Sequence, residues 1–289
     1  MHSVLIVGNF TLDEITIGNC HYSCIGGPPS YAGLFLSTYG VKLTVSGCYG
    51  HEAEMVVDTL KCRGATVMPA CNGCQVTSRF RLAGAKKKSI TIIDPGCKIT
   101  HIPEGGYDYA IVNGVCGEID PGLMAVIHKS SKFVYLDPQG LLRKRKSGRV
   151  EMAAGPEFME SIKYANVLKV NREELEVITG TSDPEKAHAS LGKSTKMILS
   201  ESYRVMQVGN GKTLELAFRP VRVYDGVGMG DLFGAGYVLG MIISGEKMGL
   251  AMGHAAATAR PLERGLFKVP HWREVMGTAE SLAGSVREL

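Results

Sequence analysis

Six short apolar runs rich in β-branched residues recur along the chain: Val4–Val7, Leu43–Ser46, Tyr109–Val112, Phe133–Leu136, Val167–Val170 and Met197–Leu199. Several follow helix-like segments, among them Ser30–Tyr39, Ala53–Cys62, Leu123–Lys129 and Glu157–Tyr164. A strand that is apolar on both faces needs cover on both. The alternation therefore predicts an α/β fold, a mostly parallel sheet with helices on each side. Two segments break the rhythm. Asp13–Ile25 and Gln75–Asp94 read as hairpin strands without a helix between them, and Ser78–Leu82 alternates polar and apolar residues. Such strands suit a small separate sheet over the main one. Arg204–Val208 and Thr213–Phe218, joined through Asn210-Gly211, read as a further hairpin. The 289 residues suit one large domain or two small ones and are ample for a core. There are no tandem repeats.

The first strand-like run begins three residues after Met1, which leaves no room for a cleaved signal peptide. The longest apolar stretch, around Ala235–Ile243, is cut by Gly236 and Gly240 and falls short of the ~20 residues of a membrane helix. A cytoplasmic chain with no membrane association is the expectation. In that compartment the eight cysteines are expected to be reduced thiols. A zinc site on the Cys71/Cys74 and Cys20/Cys24 pairs is conceivable, but one CxxC in a chain this long is a weak signal and plain thiols are the expectation. Net charge is +4, with basic runs at Lys86–Lys88 and at Arg143–Lys146 near Arg149. The first reads as a hairpin tip. The second could attract phosphates, but without interleaved aromatics neither reads as a nucleic-acid platform.

Thirty-six glycines, close to twice the ordinary share of about 7%, raise the question of which of them serve a ligand. Ala187–Ser194 loosely matches a phosphate-binding loop. A helix precedes it and a strand follows, the reverse of the required order, so Gly192 reads as a helix C-cap. Val223–Gly236 has the right order, a strand passing through glycines into a long apolar helix. The amides at Gly228, Met229 and Gly230 then form an anion site at a helix N-terminus. Asp231 repels such an anion unless it has a task, such as taking a proton from an attacking hydroxyl. Alternatively, it is simply a favourable first-turn acid.

Asn171-Arg172-Glu173-Glu174 reads as a capping box, or as Asn171 and Glu174 organising water and Mg²⁺ beside phosphates. Gly26-Gly27-Pro28-Pro29-Ser30 is either a turn capped by Ser30 or a glycine platform beneath a small polar substrate. Asp13 follows the first strand, near the strand ends where open parallel sheets bind ligands. A buried acid there can accept hydrogen bonds from substrate hydroxyls.

Together these segments resemble the ribokinase, or PfkB, family of sugar kinases, in order and along nearly the whole chain. The landmarks are the first strand with Asp13, Gly26-Gly27 with Gly40 closing the helix, Asn171–Glu174, and Asp225–Asp231. The resemblance implies a ribokinase-like three-layer sandwich spanning residues 1–289. Its β-sheet lid would be formed by about 11–25 and 75–94, and a homodimer through that lid is open. It implies ATP as phosphoryl donor with Mg²⁺, Asp231 as general base, and the amides of Gly228, Met229 and Gly230 as an anion hole. Asn171 and Glu174 would serve the Mg²⁺, through water, and the phosphates. The implied nucleotide contacts are Asn171, Ser200, Gly228, Gly230 and His254.

The sequence departs from the family pattern at several points. Gly226, Val227 and Met229 replace the usual threonines and alanine of the closing signature. Tyr31 replaces a sugar-gripping Asn. Ser200-Glu201-Ser202 stands for the TxG nucleotide loop without its glycine, and His254 stands where an Asn is common. Gly26–Tyr31, Gly114–Ile119 and Leu136–Arg143 are similar to the inositol kinases of plants and archaea. That resemblance implies myo-inositol as acceptor, on a platform of Gly26 and Gly27 and ringed by Asp13, Ser30, Glu118 and Gln139, with Arg79 reaching from the lid. Arg143 either reaches phosphate or is a solvated surface residue. A nucleoside kinase with Tyr31 or Phe80 stacking, a 2-keto-3-deoxy sugar-acid kinase using Arg79, and a ligand-binding regulator without catalysis are the alternatives.

Overall fold

The computed structural model describes residues 1–71, 76–84, 89–146, 149–192, 194–221, 224–259, 265 and 269–289. The Lys86–Lys88 run and Cys74 lie outside them. The strands of the first half are β1 (Ser3–Val7), β2 (Thr11–Ile17), β3 (Cys20–Gly26), β4 (Lys42–Ser46), β5 (Thr66–Met68), β6 (Ser78–Ala83), β7 (Ser89–Asp94), β8 (Tyr109–Asn113) and β9 (Val134–Asp137). The later strands are β10 (Arg143–Lys146), β11 (Arg149–Met152), β12 (Val167–Asn171), β13 (Lys196–Ser200), β14 (Arg204–Gly209), β15 (Lys212–Ala217) and β16 (Arg287–Glu288). The helices are α1 (Pro28–Leu36), α2 (Glu54–Cys62), α3 (Pro121–Ser130), α4 (Gln139–Leu142), α5 (Pro156–Ser161), α6 (Arg172–Thr179), α7 (Pro184–Leu191), α8 (Met229–Ser244), α9 (Glu246–Thr258) and α10 (Trp272–Ala283).

The main sheet runs β16-β15-β14-β13-β12-β9-β8-β1-β4-β5. It is parallel from β5 to β13 and antiparallel beyond, where the Asn210-Gly211 turn joins β14 to β15. Strict alternation of buried side chains builds two cores. On β1, Val4 and Ile6 join one core with α1, α8 and α9, while Leu5 and Val7 join the other with α3 and α6. Strand order reverses at β1, which lies between β4 and β8. In open α/β sheets that reversal opens a crevice at the carboxyl ends of the strands. The fold is an α/β sandwich, a mostly parallel sheet between two helical layers with a second, smaller sheet.

The second sheet runs β10-β11-β7-β6-β2-β3. It contains both of the rhythm-breaking segments and two strands that sequence reasoning missed. The basic run Arg143–Lys146 is β10, paired antiparallel with β11. A strand of four consecutive charged residues looks like a solvated loop until its partner is known. Tyr22 on β3 donates from its hydroxyl to Asp225 at 2.7 Å, which ties this sheet to the loop before α8.

The cysteine expectation is corrected in one place. Cys48 and Cys71, both buried, form a disulfide, while Cys62 and Cys116 are free thiols. Local spacing pointed to neighbours in sequence, but folding brings together two loops separated by 23 residues. Closing such a loop stabilises by about 3 kcal/mol on the chain-entropy account. Cys48→Ser, or melting under reductant, is expected to lower Tm by about 5 °C. Identical calorimetric melts with and without reductant would contradict the bond. Among the described residues no helix is long and apolar enough to cross a membrane.

Candidate active site

Four adjacent parallel strands end in polar residues: β8 in Asn113, β9 in Asp137, β12 in Asn171 and β13 in Ser200. Their apolar portions are consumed by the two cores, and only these last residues emerge. All four line one cavity of about 570 Å³. Met229, Gly230 and Asp231 at the start of α8 form part of its wall, and Val205, Phe218, His254 and Ala257 line its apolar part. Ile90, Val150 and Met152 of the second sheet also face it. A smaller pocket of about 40 Å³ is lined by Thr11, Asp13, Gly27, Tyr31, Phe80 and Gln139, among others. Asp231 faces both.

The start of α8 is built by buried polar contacts. Asp225 accepts from the Val227 and Gly265 amides, each at 2.9 Å, and so shapes the loop. Gly228 is the N-cap at φ 78°, and a Cβ there would run into the fully buried ring of Tyr31. Tyr31 therefore serves as a packing support under the loop. First-turn amides of a helix lack helical partners and carry its positive end, which suits an anion; here the Met229 amide already donates to the Gly226 carbonyl at 3.4 Å. Asp231, in this first turn, has its Oδ1 bonded by Asn113 Nδ2. Sequence reasoning missed Asn113, because no spacing links residues 118 positions apart. Nor did it find Lys169, whose Nζ donates to Asp137 Oδ2 at 3.1 Å in a buried pair facing the large cavity. Burial works against the Lys169 charge, but Asp137 and Glu174 outweigh it and raise its pKa.

Asn171 caps α6 and also faces the large cavity. Its Oδ1 accepts the Glu174 amide at 2.9 Å, and Glu174 Oε2 accepts the Asn171 amide at 2.8 Å, while both side chains line the cavity. Burial pushes the Glu174 carboxyl above its ordinary range, opposed by Lys169. This oxygen pair fits Mg²⁺, which usually takes one or two carboxylates and leaves its other positions to water and phosphate. Among the described residues no group of three or more metal-ligating side chains exists. At the glycine-less loop, Arg172 and Arg204 clamp the Glu201 carboxylate. Burial alone would raise its pKa, but the two guanidiniums hold it below the usual range.

Asp13 and Gln139 line the small pocket, and Asp13 is buried on β2. Gly27, at φ 82°, lies so close to the Asn9 carbonyl that a side chain there would collide with it. Gly26 packs beside the Asp13 carboxylate without itself lining the pocket.

Three expected acceptor contacts are corrected. Ser30 gives its hydroxyl to the Gly26 carbonyl at 2.6 Å and lines neither cavity. Glu118 turns inward to accept the Val115 and Cys116 amides at 2.6 and 2.7 Å, bracing the loop after β8. Arg79 points outward from β6 and pairs with Glu52, because strand alternation sends Phe80 inward instead.

Ser200 and His254 both line the large cavity. His254 stacks on Phe218 at 3.6 Å, and burial lowers its pKa to about 4, so it is neutral at pH 7. An unfolded histidine binds its proton near 6.5. Stability is therefore full above that value and falls as pH drops toward 4, by up to about 3 kcal/mol from this group. Denaturant melts of wild type and His254→Gln between pH 7 and 4 are expected to differ in slope over that window. Parallel curves would refute the shift.

Residues 122–264 match the model of the pfkB family of carbohydrate kinases. Among curated proteins nothing matches the sequence. A pyrophosphate-dependent kinase in the ribokinase family, solved with a pyrophosphate analogue and myo-inositol, is 19% identical with a TM-score of 0.80, over 95% of this chain and 99% of that one. The fructokinase of Vibrio cholerae is 15% identical, TM-score 0.74, over 96% and 99%. The aminoimidazole riboside kinase of Salmonella enterica is 16% identical, TM-score 0.75, over 96% and 99%.

Proposed function

Because this chain carries a pfkB family carbohydrate kinase domain, we propose that it transfers the γ-phosphoryl group of ATP to a hydroxyl of a small polyol, myo-inositol. It does so as a cytoplasmic enzyme of the inositol 3-kinase type. One observation carries the reading: Asp231, at the amino end of α8, stands where a large cavity and a small one meet. A donor fits the large cavity, whose apolar wall at Val205, Phe218 and neutral His254 suits a purine. The small pocket suits a single ring, with Asp13 and Gln139 as hydrogen-bonding groups for its hydroxyls. A solved neighbour holding myo-inositol supports the acceptor class.

Asp231 takes the proton of the attacking hydroxyl as the oxygen reaches the γ-phosphorus in line. Asn113 orients its carboxylate through Oδ1. The amides of Gly228, Gly230 and Asp231 hold the charge that develops on the phosphoryl oxygens. The second sheet, overhanging both pockets, serves as the lid over 11–25 and 75–94, joined by β10 and β11, and excludes competing water. When bound at Asn171 and Glu174, through water, Mg²⁺ would offset phosphate charge.

A substrate panel tests this. With ATP, myo-inositol is expected to release ADP faster than nucleosides, fructose or a 2-keto-3-deoxy sugar acid. Turnover confined to a nucleoside or a sugar acid moves the protein to those branches. No turnover with any of them leaves a ligand-binding regulator. Pyrophosphate in place of ATP belongs in the same panel, because that neighbour uses it.

A further inference from the structure

Three cysteine-bearing loops converge at one edge of the main sheet. Cys48 follows β4 and Cys71 follows β5, the last two strands at that edge, and Cys97 follows β7 of the second sheet. The Cα atoms of Cys48 and Cys71 are 6.1 Å apart. One carboxamide fastens the third loop to them. Asn9 Oδ1 accepts the Cys48 amide at 2.9 Å, and Asn9 Nδ2 donates to the Cys97 carbonyl at 2.8 Å. Cys48 Sγ lies 3.8 Å from the Lys98 carbonyl oxygen, and the Thr100 amide donates to the Ala70 carbonyl at 2.9 Å. Cys48 and Cys71 are buried in the core that holds Leu5 and Val7, and Cys97 packs against it. In sequence, Cys71 also opens a C-x2-C spacing of the kind zinc ligands use, although Cys74 lies outside the described residues.

The cluster is oxidised in this structure: Cys48 is joined to Cys71, and Cys97 too is disulfide-bonded. Sulfurs bonded in disulfides are not metal ligands, and the described residues accordingly present no group of three. A reducing compartment reverses this, because clustered cysteines there serve metals more often than disulfides. A dithiol reductant gives two electrons and two protons to each bond, leaving two thiols and itself becoming a disulfide. We propose that, once reduced, Cys48, Cys71 and Cys97 are thiolate ligands of one structural Zn²⁺. The metal displaces their protons, which pass to water. Two sulfurs at about 2.3 Å from a tetrahedral zinc lie within about 4 Å of each other. A Cα separation of 6.1 Å permits that as well as it permits a disulfide.

The position gives the metal a role. β6 starts at Ser78 and β7 ends at Asp94, so this strand pair leaves and rejoins the main sheet beside the cluster. Ser78 binds the Pro95 carbonyl through its hydroxyl and the Phe10 carbonyl through its amide. β6 in turn supplies Phe80 and Leu82 to the small pocket. A zinc joining Cys97 to the ends of β4 and β5 fixes the root of that strand pair where disulfides do not persist. The proposal takes from the reading above only the reducing compartment, and it stands apart from the kinase activity.

The test uses the full chain, fully reduced, supplied with zinc and freed of excess by dialysis. Wild type is expected to hold about one zinc per chain by atomic absorption. Co²⁺ in its place is expected to show a thiolate-to-metal charge-transfer band and the strong visible absorption of a tetrahedral site. Cys97→Ser, at the least buried of the three, is expected to weaken zinc binding about tenfold or more. Cys62→Ser, at an exposed free thiol, is expected to match wild type. Stripping zinc from the reduced protein is expected to lower Tm by about 5 °C, and returning it to restore the melt. Reduced, folded wild type that takes up no zinc overturns the proposal. So does zinc held as tightly by Cys48→Ser and Cys97→Ser as by wild type, which places the metal elsewhere. Iron with acid-labile sulfide in the purified protein overturns the zinc assignment. If Cys97→Ser melts early, the cobalt spectrum of wild type carries the test, and a spectrum without the charge-transfer band overturns it. No step reads turnover, so a protein without zinc leaves the kinase reading standing, and an inactive protein that binds zinc leaves the metal site standing.

Discussion

Asp231→Asn lowers kcat by 10² or more and leaves ATP affinity within a few-fold of wild type. The substitution is nearly isosteric and keeps an oxygen for the Asn113 Nδ2 donor, so the site retains its shape. What disappears is a basic oxygen at the point where the two cavities meet. Positioned proton transfer contributes roughly 10²–10⁴-fold. The competing account makes Asp231 only a first-turn acid favourable to α8, an effect of about 0.3–1 kcal/mol on stability and none on chemistry. Steady-state ADP release together with nucleotide titration separates the two. A fully active Asp231→Asn enzyme removes the base assignment, while a fall in kcat at constant Tm removes the purely structural one.

Gly228→Ala is expected to damage the site as deeply by a different route. Its φ of 78° costs an L-residue about 1–2 kcal/mol. The added Cβ would also strike the ring of Tyr31, which is fully buried and has nowhere to retreat. The start of α8 must then move, carrying the Gly230 and Asp231 amides away from the phosphoryl group. Loss of one such donor costs roughly 10²–10³ in kcat in other enzymes. Tm and kcat should therefore fall together, and the damage should shrink in a Tyr31→Leu background, where the two sites couple. A Gly228→Ala protein with wild-type kcat would show that these amides do not hold the reacting group.

Much of the site could be read from local pattern. The helix N-terminus after Gly228, the Asn171–Glu174 capping box and the acid at Asp231 depend on residues within one turn of each other, and each lies where its local rule puts it. Errors arose where direction mattered. Ser30 had a carbonyl four residues back to satisfy its hydroxyl, and Glu118 had two amides in its own loop. Neither was left for a ligand. Arg79 was assigned inward although the alternation Ser78-Arg79-Phe80 sends it out; the neighbouring aromatic faces the pocket. Arg143 stayed open between a phosphate contact and a surface charge, because its neighbours Phe80 and Val115 are distant in sequence.

By itself the sequence determined the layered α/β architecture, the second sheet's first four strands and the glycine-led start of α8 with Asp231 in its first turn. These follow from periodicity, caps and backbone sterics, which act over a few residues. Only the tertiary structure decided that Asn113 meets Asp231, that Lys169 pairs with Asp137, that Cys48 joins Cys71, and that Arg143 faces both cavities. Each of these depends on which strand ends lie side by side, and strand order is settled by the packing of two whole cores.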